Sequence, residues 1–366
     1  MATTYTIRND VVWPDALIRP PRPPQLVYLD MLGWINLAEL IAGNSVPNGY
    51  TRLLESCRRA RAEGRALFPL SSSTAIELYN IGDVARRSAR ARVMEELSEF
   101  NYLLGRNQIQ QLEVEAALGA IPGVVVAPQQ SPLPLLGPSL LWSFGMKGGL
   151  EIHGPDPAAA ARTLCMIIGI DVGESPGAAL EAWAERLLLT GPEKHEDPAL
   201  ENLGYNPDGW RNILEARANQ ERALAGKLDV EPGWRRGNLR DVINANEMHV
   251  ELREPLARAA TMTNRPLDDV FSDRDTLRSF CDSMPSTRVS VSLKTIYHKN
   301  SQHNWKTNDI HDIDALSVAA PYCDAVFTDK AARDKVNTCP ELTIFHTEIP
   351  RTPDDLADWL DNLPSA

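Results

Sequence analysis

The chain of 366 residues has no run of about eighteen consecutive apolar residues, so we expect no transmembrane helix. Residues 1–14 lack the basic and apolar regions of a signal peptide. The five cysteines are scattered without a C-x-x-C pair, which supports neither a disulfide framework nor a zinc knuckle. No internal repeat of fixed period and no low-complexity tract is present. These absences predict a protein of a reducing, cytoplasmic setting.

The chain also has fewer basic than acidic residues. The formal net charge is −12, which argues against a protein that coats nucleic acid in general. It does not exclude a nuclease, because a carboxylate site adds acids and substrate binding needs only a local basic face. Basic clusters occur around Arg58, Arg86 and Arg235 and between Lys294 and Lys306. Solvated helix faces would explain most of them.

The hydrophobic pattern divides the chain into four parts. Residues 1–25 form a proline-rich arm. Residues 26–85 alternate strand-like and helical segments, which predicts parallel strands joined by helices. Residues 86–284 have helical periodicity and few strand-like runs, and we interpret them as a helical insertion, in which one helix is predicted over 239–262. Residues 285–366 return to helices and short strands, with a last strand predicted at 342–346. The predicted fold class is α/β, with a parallel sheet and a large, mostly helical insertion.

Four acidic residues occupy positions where an α/β sheet would bring them together. Asp30 ends the first predicted strand, 26–30, and Glu77 lies in the helix after the second, 66–70. Asp312 lies in the first turns of the helix that precedes a strand ending at Asp329. Ligand sites in open parallel sheets form at the carboxyl ends of the strands. We therefore expect these four side chains to share a site.

Four neighbouring carboxylates repel one another unless a cation neutralises them or some are protonated. Sites made only of oxygen suit Mg²⁺ or Mn²⁺. Such an ion can activate water and stabilise the leaving oxygen in phosphodiester hydrolysis. The predicted chemistry is therefore metal-dependent phosphodiester cleavage, with these four acids as catalytic and metal-binding residues.

Each acid also has a purely structural interpretation. Asp30 could be the N-cap of the following helix, and Asp329 could cap the helix after its strand. Thr74 to Glu77 matches the S/T-x-x-E capping box, in which Glu77 would only bond the backbone at Thr74. Asp312 gains from the dipole of its own helix. The order and spacing of all four favour the shared site over these single explanations.

The expected positions of three further acids near Asp312 and Asp329 distinguish their roles. Asp309 is one turn before Asp312 and could share its face, so it is a candidate auxiliary metal ligand. Asp314 is two residues after Asp312 on the same helix, so its side chain should point away from that of Asp312. Asp324 begins the strand that ends before Asp329, and therefore belongs at the opposite edge of the sheet.

A basic stretch just before Asp309 is a candidate surface for single-stranded RNA. Its predicted RNA-binding residues are Lys294, His298, Lys299 and Lys306, interleaved with Tyr297 and Trp305. An amphipathic helix with a solvated basic side would give the same pattern. His298 and His303 have no third partner at zinc-site spacing, so we expect no zinc ion there.

These motifs resemble the PIN-domain ribonuclease family. The "LD" strand end at Leu29-Asp30, the Ser71 to Glu77 segment, the helix opening at Asp312 to Leu316 and the strand end Val326 to Asp329 match the family pattern. The resemblance implies an α/β/α sandwich around a parallel sheet and an endoribonuclease that uses Mg²⁺ or Mn²⁺. Many relatives are toxins of toxin–antitoxin pairs, and others act in RNA processing. The resemblance covers roughly residues 26–81 and 285–366.

The long region between Glu77 and Asp312 departs from the small members of that family. A protein inhibitor or partner bound to this region, and a homodimer, therefore stay open. Two other functions also stay open: a DNA or structure-selective nuclease, such as one that acts in defence, and a catalytically weak scaffold for a protein partner. A phosphatase of the haloacid dehalogenase type needs a second Asp two residues after Asp30. Leu32 stands there, which excludes that class.

Overall fold

The computed structural model describes residues 10–127, 131–153, 155–171, 175–193, 206 and 208–365. The fold is mixed α/β. The strands in these ranges are β1 (Leu17–Ile18), β2 (Gln25–Leu29), β3 (Ala66–Leu67), β4 (Tyr102–Leu103), β5 (Leu133–Pro134), β6 (Leu136–Gly137) and β7 (Ala325–Phe327).

Helices dominate the described chain. They are α1 (Met31–Ile41), α2 (Tyr50–Ala62), α3 (Ser72–Tyr79), α4 (Val84–Ser98), α5 (Arg106–Gly119), α6 (Pro157–Ile168), α7 (Pro176–Thr190), α8 (Gly209–Val230), α9 (Pro232–Gly237), α10 (Leu239–Val250), α11 (Arg253–Ala260), α12 (Leu267–Val270), α13 (Arg274–Ser283), α14 (Pro285–Lys299), α15 (Thr307–Tyr322), α16 (Lys330–Asn337) and α17 (Pro353–Asp361). Two 3₁₀ helices span Leu140–Phe144 and Pro340–Phe345.

A three-stranded parallel sheet with the order β3-β2-β7 organises the fold. The central strand β2 pairs with β7 through Val27 to Leu29 and with β3 through Gln25 and Leu26. This confirms the predicted first strand. The predicted strand 66–70 is shorter than expected, because Pro69 lacks an N–H for the ladder. Leu70 still makes an isolated parallel bridge to Tyr102.

The sheet lies between two helical layers, as the alternation of side chains along β2 dictates. Leu26 and Tyr28 belong to the buried cluster that includes α14 and α15. Val27 and Leu29 belong to the cluster that includes α1, α2 and α17. Because both faces of β2 are covered, the strand reads as one continuous apolar run.

Residues 86–284 are mostly helical where the structure describes them, as predicted. They pack onto the sheet domain, with α8 against α15 and α10 against α14. The predicted helix over 239–262 is two helices, α10 and α11, separated at Glu251-Leu252. The short pairs β1–β5 and β4–β6 have no counterpart in the sequence prediction.

The strand predicted at 342–346 is wrong. This segment is the 3₁₀ helix Pro340–Phe345, which begins at a proline whose fixed φ suits a first helical turn. The sheet is extended instead at Glu348, through an isolated parallel bridge to Ala325. Among the described helices, none combines the length and the apolar character that a membrane crossing would need.

Candidate active site

Asp30 lies at the carboxyl end of β2 and is fixed on three sides. Its N–H donates to the carbonyl of Phe327 at the end of β7 (2.9 Å). Its Oδ1 accepts from the Met31 N–H (2.7 Å), and its Oδ2 accepts from the Thr328 hydroxyl (2.9 Å). Asp30 is therefore the N-cap of α1, as one interpretation predicted, and it is also tied to the neighbouring strand.

Asp329 follows β7 and caps α16. Its Oδ1 accepts from the N–H groups of Ala331 (2.6 Å) and Ala332 (2.9 Å). Both bonds fall on Oδ1, so Oδ2 keeps its lone pairs for another partner. The cap interpretation is again confirmed, and it holds one carboxylate oxygen rigidly at the sheet edge.

Glu77 lies in the middle of α3 and has no capping role. The N-cap of α3 is Ser71, whose hydroxyl accepts from the Thr74 N–H (3.2 Å). The capping box predicted for Thr74 and Glu77 is therefore wrong, because Thr74 is already inside the helix. The buried hydroxyl of Tyr28 lies 3.1 Å from the Ser71 hydroxyl oxygen and 3.2 Å from that of Thr74. These bonds anchor the helix that carries Glu77 to β2.

Asp312 lies in the second turn of α15 between the buried residues His311 and Ile313. In the described part of the chain, neither Asp312 nor Glu77 makes a hydrogen bond or an ion pair. Both side chains are half-buried. They are therefore carboxylates removed from much of the solvent without a protein partner, which is costly unless something else binds them.

Asp30, Glu77, Asp312 and Asp329 line one cleft of about 1380 Å³. The structure thus brings together the four acids that the sequence predicts as a shared site. They arrive from four elements: the ends of β2 and β7, the middle of α3 and the start of α15.

The electrostatics of the cleft favour protonated acids when no cation is present. Burial, followed by repulsion from Asp30 and Asp312, raises the pKa of Glu77 to about 8. Burial, followed by repulsion from Asp30 and Asp329, raises the pKa of Asp312 to about 7. Burial also raises the pKa of Asp30. Lys335 acts in the other direction on Asp312, but its ammonium group also donates to the Tyr297 hydroxyl (2.7 Å).

The donor chemistry of the cleft fits a hard divalent cation, because carboxylate oxygens are the ligands that Mg²⁺ and Mn²⁺ prefer. No group of three or more His, Cys, Asp or Glu side chains within the described ranges is arranged to hold a metal ion as it stands. The four acids are therefore within electrostatic range of one another without forming a closed ligand set.

Asp309, the candidate auxiliary ligand, does not line the cleft. Its Oδ2 accepts from the Lys306 N–H (2.8 Å) and is 3.1 Å from His303 Nε2. Asp309 thus accepts from the backbone N–H of the N-cap residue Lys306 at the start of α15. It stabilises the helix that carries Asp312, and its charge adds to the repulsion that raises the pKa of Asp312, but its side chain does not line the cleft.

Two of the predicted RNA-binding residues lie in the protein interior, so that prediction is wrong for them. Lys294 is 1% exposed, and its ammonium group pairs with Glu247 (2.7 Å) and Glu221 (2.8 Å). His298 is also 1% exposed, and its Nε2 lies 2.8 Å from Glu221. Helices α8 and α10 of the insertion cover this face of α14, which turns an apparent basic surface into a buried ionic cluster.

The other residues of the predicted RNA-binding surface are partly buried and partly exposed. Tyr297 and Trp305 are buried and packed against each other, with ring centroids 5.0 Å apart, so neither is free to stack on a base. Lys299 and Lys306 are exposed, but they lie outside the cleft. The predicted stacking surface is therefore absent at this position.

The remaining two acids have structural roles, as predicted. Asp324 accepts from the Leu26 N–H (2.7 Å) and pairs with Arg22 (2.6 Å) at the opposite end of the strands. Asp314 points away from the cleft and is paired with Arg217 and Arg106.

Part of the cleft could not be found from the sequence. The insertion supplies one wall, which includes Met146, Trp210, Arg211 and Ile213. These residues are distant in sequence from every predicted site residue, and no motif marks them. His311, whose pKa burial lowers, also lines the cleft.

Comparison of the chain with protein-family models, with curated proteins and with solved structures gives no match. The family resemblance therefore depends on the short motifs around the four acids. The functional interpretation must come from the geometry of the cleft.

Proposed function

We propose that the protein is a metal-dependent nuclease of PIN-like fold, acting on RNA phosphodiester bonds at the cleft. One observation carries the proposal: Asp30, Glu77, Asp312 and Asp329 line a single cleft, and Glu77 and Asp312 have no partner among the described residues. Helix capping accounts for Asp30 and Asp329, but not for two further half-buried carboxylates placed beside them without a protein partner, so a positively charged ligand is the simplest reason for the group.

The four acids would hold Mg²⁺ or Mn²⁺, and the bound ion would supply Lewis-acid stabilisation and an activated water. The protein holds two of the four carboxylates in fixed positions. Asp30 and Asp329 are fixed by helix-cap bonds and by the Thr328 hydroxyl. Glu77 and Asp312 contribute carboxylates that are free of competing protein bonds. This division gives a fixed pair and an unpaired pair of oxygen ligands.

The size of the cleft supports a polymeric substrate. Its volume of about 1380 Å³ exceeds the range of roughly 300–1000 Å³ that is usual for small-molecule sites. RNA is proposed over DNA from the family resemblance, and a DNA or structure-selective nuclease is the competing activity. A catalytically weak scaffold for a protein partner is the third hypothesis. A protein partner of the insertion, a toxin–antitoxin role and a homodimer stay predictions from the sequence.

The test is cleavage of end-labelled single-stranded RNA and DNA of one sequence, with Mg²⁺ or Mn²⁺ and with EDTA. We expect metal-dependent RNA cleavage, and a loss of at least about a hundredfold in Asp312→Asn and Glu77→Gln. Asp275→Asn, the same change at an exposed acid outside the cleft, should retain full activity. Equal cleavage by wild type and Asp312→Asn would overturn the proposal, and faster DNA cleavage would select the competing substrate.

A further inference from the structure

The wall of the cleft that the insertion supplies is unusually apolar for a solvent-facing surface. Trp210 and Ile213, in the first turns of α8, are 43% and 50% exposed, and Met146 is 50% exposed. All three line the same cleft as the four acids. Large apolar side chains left open together mark a binding surface when a functional group lies beside them.

Trp210 is held in place before any ligand arrives. Its indole packs against Phe144, with ring centroids 4.9 Å apart and an interplanar angle of 38°. Because Phe144 supports the ring and much of the ring stays exposed, an open part of the indole is presented to the cleft. A pre-positioned aromatic ring loses little conformational entropy when a flat ligand stacks on it.

Free positive charge is scarce in the cleft. Arg87 is buried, and its guanidinium donates to the carbonyls of Ile81 (3.3 Å) and Pro192. The exposed Arg211 is already paired with Asp208. Among the described lining residues, these two arginines face five acids. These two arginines therefore offer a polyanion little positive charge, which gives contacts with its bases a larger share of the binding.

We propose that Trp210, which lines the cleft together with Met146 and Ile213, is a nucleobase-stacking subsite. It would hold one unpaired base of a single-stranded nucleic acid while the neighbouring phosphodiester lies at the four carboxylates. This inference rests on the proposed function. It depends on two observations: the supported, exposed indole and its position in the same cleft as the acids. Single strands are selected because a paired base does not present its face to an indole.

The subsite is testable by equilibrium binding without turnover. The protein carries Asp312→Asn to prevent cleavage, and the probe is a fluorescein-labelled oligoribonucleotide followed by anisotropy. We expect Trp210→Ala to raise Kd about tenfold, and Trp210→Phe to raise it less than about threefold because a stacking ring remains. Trp234 is the matched control: it is 42% exposed and lies outside the cleft, so Trp234→Ala should leave Kd unchanged.

A second arm changes the ligand and leaves the protein intact, so it does not depend on how the Trp210 variants fold. Single abasic positions are moved along the oligonucleotide. We expect one position at which loss of the base weakens binding about tenfold, and we expect this effect to disappear in Trp210→Ala. A duplex of the same sequence should bind more weakly. No abasic position with an effect, no binding at all, or equal binding of the duplex would overturn the subsite.

The outcomes also separate the subsite from the proposed function. Metal-dependent cleavage by the wild type with KM and Kd unaffected by Trp210→Ala would overturn the subsite and leave the nuclease. Trp210-dependent binding of the single strand without any cleavage by the wild type would overturn the nuclease and support the subsite.

Discussion

Arg217 and Asp314 form a bidentate ion pair, with Nη1 2.5 Å from Oδ2 and Nη2 2.8 Å from Oδ1. Arg106 adds a third contact, 2.9 Å from Asp314 Oδ1. Arg217 belongs to α8 of the insertion, and Asp314 lies on α15 two residues after the cleft residue Asp312. Bidentate pairs fix orientation as well as distance. The insertion therefore clamps the helix that positions a cleft carboxylate.

Removal of this clamp should be costly. Arg217→Ala leaves Asp314 and Glu251 buried with fewer compensating charges, and we expect a loss of about 3–5 kcal/mol in the free energy of unfolding. Urea denaturation measures it. The control is Arg258→Ala, an exposed arginine paired with Glu254 on one helix face, which should change stability by less than about 0.5 kcal/mol. Similar small losses in both variants would contradict the clamp.

Substitution of Lys294 distinguishes its role as a buried ion-pair partner from the predicted role as an RNA contact. As a buried residue it neutralises Glu221 and Glu247, so Lys294→Met should destabilise the fold by about 3–5 kcal/mol. RNA affinity should be unchanged under conditions in which the variant is folded. Thermal melting and anisotropy on the same preparation measure both quantities. A stable variant with weakened RNA binding would restore Lys294 as an RNA contact.

The raised pKa values of Glu77 and Asp312 predict how stability depends on pH in EDTA. A carboxyl whose pKa is raised on folding binds its proton more tightly in the native state, so stability falls as pH rises from about 4, the unfolded value, to about 7 or 8. Asp312→Asn removes one such group. Its stability relative to wild type should grow by about 1–3 kcal/mol between pH 5 and pH 8.5. A difference that is constant with pH would refute the raised pKa.

Addition of Mn²⁺ should reverse the gain in stability that Asp312→Asn shows over the wild type at high pH. The cation needs ionised carboxylates, so its stabilisation of the wild type should be larger at pH 8 than at pH 6, and binding should release protons. Asp312→Asn should gain less at either pH. Thermal melting with and without Mn²⁺ measures the shift, and calorimetry in buffers of different ionisation enthalpy measures the protons. Equal Mn²⁺ stabilisation of the wild type and Asp312→Asn would exclude Asp312 as a ligand.

The acids of the cleft were predictable because two of them lie at strand ends and the other two lie in helices next to those strands. An apolar run that stops at Asp30, and another that stops before Asp329, specify strand ends in the sequence itself. Parallel pairing then requires those ends to meet at one edge. Glu77 and Asp312 follow from the helices next to these strands. Local pattern and sheet topology together locate all four.

The errors arise where distant segments cover a local pattern. The spacing of Lys294 and His298 shows that they share a helix face, but not that α8 and α10 bury it. Trp210 was missed for the same reason, because its place in the cleft depends on how the insertion packs. At 342–346 an apolar run resembles a strand, and Pro340 starts a 3₁₀ helix instead. Burial by residues far away in sequence is tertiary information that periodicity does not contain.

The central claim is that Asp30, Glu77, Asp312 and Asp329 form a metal site. Anomalous diffraction from a crystal soaked in Mn²⁺ tests it most directly, because the scattering locates the ion without reference to activity. We predict an anomalous peak in the cleft, within bonding distance of carboxylate oxygens of Asp30, Asp312 and Asp329. A cleft without a peak at a Mn²⁺ concentration that saturates the thermal shift, or a peak held by other residues, would contradict the account.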